Sequence, residues 1–169
     1  MIQNVLKKAS TKADILYGDV MKRDGDKQWI QKANQEINRI IKGMVFNHQS
    51  AFIRTTVMQR YRYDTRYRIC ADYDFFLRCY LDGIRFMYIN ETISCFLVGG
   101  ISYQRPFDLV EEAYKIQIDN HVLKKTYGQL RIIRTRVRKY IRKLVPNSII
   151  IMIRNMKRCL MENKSRDNG

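Results

Sequence analysis

Hydrophobic and polar positions alternate between two periods along this chain, and the changes of period mark its elements. DILYGDVM, from Asp14 to Met21, is rich in β-compatible residues and predicts a strand. Arg23 to Lys27 supplies a turn, with Gly25 free to take positive φ, and Gln28 to Gln31 predicts the returning strand of a hairpin. Ile37, Ile40 and Ile41 mark a short helical face, and Met44 to Arg54 predicts an extended segment around His48-Gln49-Ser50. Thr55 or Thr56 is placed to cap a brief helix ending near Tyr61. A clearer helix starts at Ala71 or Asp72, carries Phe75, Phe76, Cys79 and Tyr80, and stops at Asp82-Gly83. Arg85 to Asn90 and Thr92 to Leu97 predict two strands joined by a tight connection, followed by a Gly99-Gly100 loop.

The last third is helical in period. Pro106 fits the first turn of a helix running to about Tyr127, with Gly128 as its punctuation. Leu130, Ile133, Val137, Tyr140, Ile141 and Leu144 then recur at three- and four-residue steps among Lys and Arg, and Pro146 ends the run. Ile149, Ile153, Met156 and Leu160 repeat that spacing in a second short helix, and Ile2 to Lys8 predicts a further helical piece at the start. The order is mixed α/β, with a boundary expected near Gly128 that separates residues 1–128 from a basic helical tail, 129–169.

Charge sharpens this division. Of the formal net charge of +16, most falls in the tail: between Asp119 and Glu162 lie twelve Lys or Arg and no Asp or Glu. Two amphipathic basic helices suit an anionic membrane surface, whereas a nucleic-acid binder more often interleaves its charge with base-stacking aromatics. A hydrophobic content of 46% over 169 residues is enough for one domain with a real core. Cys70, Cys79, Cys95 and Cys159 show no CxxC spacing, so neither a zinc site nor a disulfide framework is expected, and a reduced, cytoplasmic setting follows. No secretory leader opens the chain, and its apolar runs fall far short of the roughly 20 residues a spanning helix needs.

Chemistry concentrates in YDTRYRICADYDFFLR, Tyr63 to Arg78, which delivers Asp72 and Asp74 into the start of an apolar helix. Asp72 there is able to cap its own helix, worth about 1 kcal/mol, and equally able to accept a proton. Together with FNHQSAFIR, Phe46 to Arg54, the segment resembles the acceptor-side half of bacterial family-two glycosyltransferases, inverting enzymes of the GT-A type. The resemblance covers mainly Asp14 to Ser102. It implies an α/β fold, a partial GT-A (Rossmann-like) domain over 1–128, with sugar transferred from a nucleotide-sugar to a saccharide or lipid-linked acceptor in cell-envelope polysaccharide synthesis.

The same resemblance assigns roles. Asp72 aligns with the family's base, although Ala71 stands where many members carry Glu, and His48, Gln49, Asp74, Gly99 and Gly100 are implied to lie near substrate. A divalent metal, Mg or Mn, is expected for the complete enzyme, but no residue of this chain is assignable to it. Asp72-Tyr73-Asp74 follows the DILYGD strand and opens a helix, whereas the family's metal-binding acidic motif precedes that strand. Asp19 belongs to the hairpin and is expected to be structural. A βαβ nucleotide-binding half, roughly a hundred residues or one domain's worth of chain, is expected ahead of Asp14, so the resemblance implies a truncated or split enzyme inactive alone. The alternative is a non-enzymatic basic adaptor at a membrane surface or, less favoured, on nucleic acid; under either reading a cytoplasmic setting with peripheral attachment to the inner face of the cell membrane is expected.

Overall fold

A computed structural model describes residues 13–145. The helices expected at Ile2 to Lys8 and at Ile149 to Leu160, and Cys159, lie outside the described residues. Strand β1 (Ile15–Asp24) is the centre of a mixed four-stranded sheet. Its first six residues are all buried, which fits a strand covered on both faces rather than a two-sided alternation. β1 turns through Gly25-Asp26 into β2 (Lys27–Gln31), a fully exposed edge strand, with Asp24 paired to Lys27 as the hairpin predicts. The same edge of β1 also receives β3 (Ala51–Ile53), antiparallel, with Ile15 opposite Ile53.

The other edge of β1 is taken by β4 (Phe86–Leu97), which runs parallel to it. The two strands expected over Arg85 to Leu97 are therefore one. Asn90-Glu91, whose composition predicts a turn, instead forms an irregularity: the register passes from Tyr17 opposite Tyr88 to Asp19 opposite Thr92. Gly18 sits at this jump, where a Cβ would lie only 2.6 Å from the Glu91 carbonyl oxygen. Asp19 is structural, as expected. Its carboxylate accepts from Lys32 Nζ (2.7 Å), the Ala33 N–H (3.0 Å) and the Tyr88 hydroxyl (3.0 Å). Burial pushes its pKa up, but these three donors outweigh that and hold it below the usual carboxylate range.

Two helices link β3 to β4. In α1 (Thr55–Tyr61) the residue before the helix is Arg54, so Thr55 begins the first turn and no side chain caps it, contrary to the expected threonine cap. Helix α2 (Ala71–Leu81) buries Tyr73, Asp74, Phe75, Phe76, Leu77 and Cys79, so it is enclosed on most of its surface. Gly83, at φ +76°, closes it: the Gly83 N–H reaches Tyr80 O and the Ile84 N–H reaches Cys79 O, a Schellman arrangement. The core is aromatic. Tyr17 stacks on Phe46 at 4.5 Å between ring centres, and Phe46 meets the edge of Phe76 at 4.9 Å.

After β4 come a short helix α3 (Ile101–Gln104) and then α4 (Pro106–Asp119). The helix expected to reach Tyr127 ends here instead. His121 takes φ +59°, an uncommon conformation for a residue with a side chain, and the chain re-enters a helix at α5 (Lys125–Leu144). Gly128 is buried inside α5 rather than ending a helix, and a Cβ there would lie 2.5 Å from Ile118 Cδ1 in the last turn of α4. Its smallness permits the close approach of α5. On the same side Ile132 is buried, Arg136 pairs with Glu111 at 2.6 Å, and Lys139 pairs with Asp108 of α4.

Candidate functional site

A cleft of about 620 Å³ opens between the 42–49 segment, the start of α2, the end of β4 and one face of α4. Its lining brings together His48, Gln49, Asp72 and Gly100 from the residues singled out by sequence, and adds Lys22, Lys42, Tyr73, Tyr103 and Gln117. Asp74 and Gly99 are not among them.

His48 reaches the cleft through a turn, not the extended run expected from Met44 to Arg54. Asn47 folds the chain here: its side-chain oxygen accepts from the Gln49 N–H (2.9 Å) and its carbonyl accepts from the Ser50 N–H (2.9 Å). Ser50, fully buried, has its Oγ 2.8 Å from both the Gly18 and the Asn47 carbonyls, so its one proton ties the turn to β1 and to itself, while Phe46 is held in the aromatic core. The imidazole is thus presented between two anchored neighbours.

Asp72 arrives from the first turn of α2. One carboxylate oxygen accepts from the Tyr73 N–H at 2.8 Å, and the other lies 2.7 Å from His48 Nδ1. An ionised carboxylate is an acceptor only, so Nδ1 carries the proton in this pair. The hydrogen bond to Asp72 raises the His48 pKa above its ordinary value, and partial burial opposes it less strongly. The sign of the linkage follows: the pair's contribution to stability is complete below the unfolded imidazole pKa, about 6.5, and fades as pH rises through the higher folded value. A ring-proton NMR titration is expected to place the His48 midpoint above the unperturbed value, and Asp72→Asn to bring it down; an unmoved midpoint in the variant would show that the contact is not formed in solution.

Asp72 is not left alone to organise the helix start. Residue Glu112 of α4 accepts from three consecutive backbone N–H groups, Arg68 (3.0 Å), Ile69 (2.7 Å) and Cys70 (2.8 Å). This carboxylate closes the turn that aims Asp72, and sequence reading missed it because its partners lie more than forty positions away. Glu112→Ala is expected to destabilise the fold by about 2–3 kcal/mol, the loss of several hydrogen bonds to a charged acceptor. Urea unfolding measures this, and a change within about 0.5 kcal/mol would mean that water replaces the carboxylate freely.

Asp74 behaves differently from its neighbour. Two positions along a helix is about 200° of rotation, which turns Asp74 to the buried side, where it pairs with Arg78 Nε at 2.7 Å and accepts from Asn120 Nδ2 at 3.1 Å. Asp74, implied by the resemblance to lie near substrate, is outside the cleft's lining. Gly99, at φ +123°, shapes the chain before α3, and its carbonyl accepts from Gln104 Nε2. The residues present do not fit a divalent metal at Asp72: its second oxygen is occupied by a protonated nitrogen and Asp74 points away. Among the described residues no group of three or more His, Cys, Asp or Glu is arranged to hold one.

Two other groups in the wall, Cys70 and Tyr73, are held in their neutral forms. Burial pushes the Cys70 thiol up to about 12, and its sulfur rests against the Leu109 carbonyl, so it offers no thiolate at neutral pH. Tyr73 is likewise pushed up to about 12 by burial, and its hydroxyl donates to Ile40 O while accepting from Gln117 Nε2. The Asp72–His48 pair is the one carboxylate–imidazole contact in the cleft's lining, which also includes Lys22, Lys42, Tyr103 and Tyr114. Among the described residues no helix is long and apolar enough to cross a membrane. No family model, no curated protein and no solved structure matches this chain.

Proposed function

We propose that this chain supplies the acceptor side of an inverting glycosyl transfer, in which a hydroxyl of a saccharide or lipid-linked acceptor attacks a nucleotide-activated sugar during cell-envelope polysaccharide synthesis. The observation that carries this reading is a carboxylate, Asp72, on the wall of a sugar-sized cleft with an imidazole fixed 2.7 Å away. A carboxylate offers about four lone-pair sites, and Tyr73 and His48 use two, so a substrate hydroxyl still finds an acceptor. As its oxygen bonds to the anomeric carbon, the bond from that carbon to the diphosphate breaks, the leaving electrons go with the nucleotide, and the proton passes to Asp72.

His48 in this scheme positions the base rather than receiving the proton. Its Nδ1–H fixes the rotamer of the carboxylate. Gln49 and the backbone at Gly100 offer neutral polar contacts suited to sugar hydroxyls, and Lys22 and Lys42 favour anionic groups at the opening. Joined to a βαβ nucleotide-binding half, the chain is expected to transfer sugar. Acceptor oligosaccharides added to the chain by itself are expected to shift the His48 ring resonances. A joined protein without transfer, together with resonances that no saccharide moves, would overturn the reading.

A further inference from the structure

The six apolar residues of α5 that recur at helical spacing, Leu130, Ile133, Val137, Tyr140, Ile141 and Leu144, are each at least 50% exposed. A stripe of this kind ordinarily faces the core. Here the opposite side of the helix does the packing, through Gly128 and Ile132 and through the Arg136–Glu111 and Lys139–Asp108 bridges to α4. The helix is therefore fixed to the domain by its polar side and turns its apolar side outward. At 20 residues it is about 30 Å long.

The charges beside the stripe select what covers it. At 100° per residue, Arg131, Arg134, Arg138 and Arg142 form a row along one flank of the stripe, and the helix contains no Asp or Glu. Arg134, Arg138 and Arg142 form no ion pair with any described acidic residue. A second copy laid on this face would bring the same arginine row against it. The chain beyond Val145 carries Arg154, Lys157 and Arg158 and would add like charge as well. Nucleic acid would satisfy the arginines and leave the stripe in water. A bilayer bearing anionic headgroups takes both at once, cations at the phosphates and apolar side chains at the acyl boundary.

We propose that α5 is a membrane-docking helix, lying in the plane of an anionic phospholipid surface with Leu130, Ile133, Val137, Tyr140, Ile141 and Leu144 inserted and the arginine row at the headgroups. The contact is independent of the cleft chemistry, since α4 stands between α5 and the cleft and contributes Leu109, Ala113 and Gln117 to the latter. It places α5 at a membrane surface, with no membrane-crossing helix among the described residues.

The test uses the full chain and its single tryptophan. Trp29→Phe combined with Tyr140→Trp moves the fluorophore to an exposed position on the stripe. With vesicles rich in phosphatidylglycerol, emission from position 140 is expected to shift to the blue and to be quenched by brominated acyl chains; with phosphatidylcholine alone both effects should be weak. Ile133→Glu with Val137→Glu, at exposed sites that leave the fold intact by circular dichroism, is expected to abolish quenching. Arg134→Gln with Arg138→Gln is expected to lower partitioning about tenfold, the scale of two cations near a charged leaflet after screening. Three results would each overturn the proposal: cosedimentation without quenching, which is headgroup adhesion alone; a blue-shifted emission before lipid is added, which means that a second copy or the chain's own tail covers the stripe; and no binding to either vesicle.

Discussion

Asp72→Asn is expected to reduce transfer by at least about a thousandfold in the protein joined to its nucleotide-binding half, within the range that a positioned general base contributes. The substitution is close to isosteric: an amide oxygen still accepts from the Tyr73 N–H, and the amide nitrogen then faces His48 Nδ1, which must switch tautomer to accept from it. What is lost is the group that receives the proton. Loss of charge in the first turn of α2 is expected to lower stability by less than about 1 kcal/mol, because Glu112 holds the preceding turn independently. His48→Ala is expected to be milder, roughly tenfold, since it removes an orienting contact and leaves the base in place. Single-turnover rates with saturating acceptor separate these outcomes, and an Asp72→Asn protein retaining a tenth or more of the wild-type rate would remove Asp72 from the mechanism.

How much of this was legible in the chain depends on the distance between the partners involved. The hairpin at Gly25 and the Gly83 stop of α2 are written in a few adjacent residues, and both elements fall where the local pattern puts them. The resemblance placed Asp74 beside Asp72 near substrate, whereas carboxylates two apart in a helix diverge and Arg78 lies one turn further on. Period and propensity gave the segments of β4 but not their union, since Asn90-Glu91 resembles a turn until β1 is laid beside it. Helix α5 shows the limit most clearly. Its apolar stripe was evident, but which side faces the domain was decided by the small Gly128 and by ion pairs to α4, neither of which enters a hydrophobic pattern.

The candidate site divides along the same line. Asp72 announces itself by its place at a helix entrance, and His48 by being one of only two histidines. Their approach to 2.7 Å depends on a sheet, since the turn bearing His48 is moored through Ser50 to the Gly18 carbonyl of β1. That mooring places a backbone glycine at the junction of fold and site.

Gly18→Ala is accordingly expected to lower stability by about 3 kcal/mol or more. The added methyl would stand 2.6 Å from Glu91 O, 3.0 Å from Ile89 O and 2.8 Å from Ile93 Cδ1. Two of those three atoms are backbone carbonyls, which cannot rotate aside as a side chain does. Relief requires β1 and β4 to separate at the irregularity that carries the register from Tyr17–Tyr88 to Asp19–Thr92. Separation there would also pull the Tyr88 hydroxyl from buried Asp19 and displace the carbonyl that anchors Ser50. Gly25→Ala is the control: no atom lies within 4 Å of a Cβ there, and only the positive φ of +56° opposes it, at a cost of about 1 kcal/mol. Urea unfolding of the two variants should therefore differ by about 2 kcal/mol, and the Gly18 variant alone should lose the elevated His48 midpoint. Equal stabilities would mean that β4 yields without strain, and the coupling between the β1–β4 junction and the cleft would then not exist.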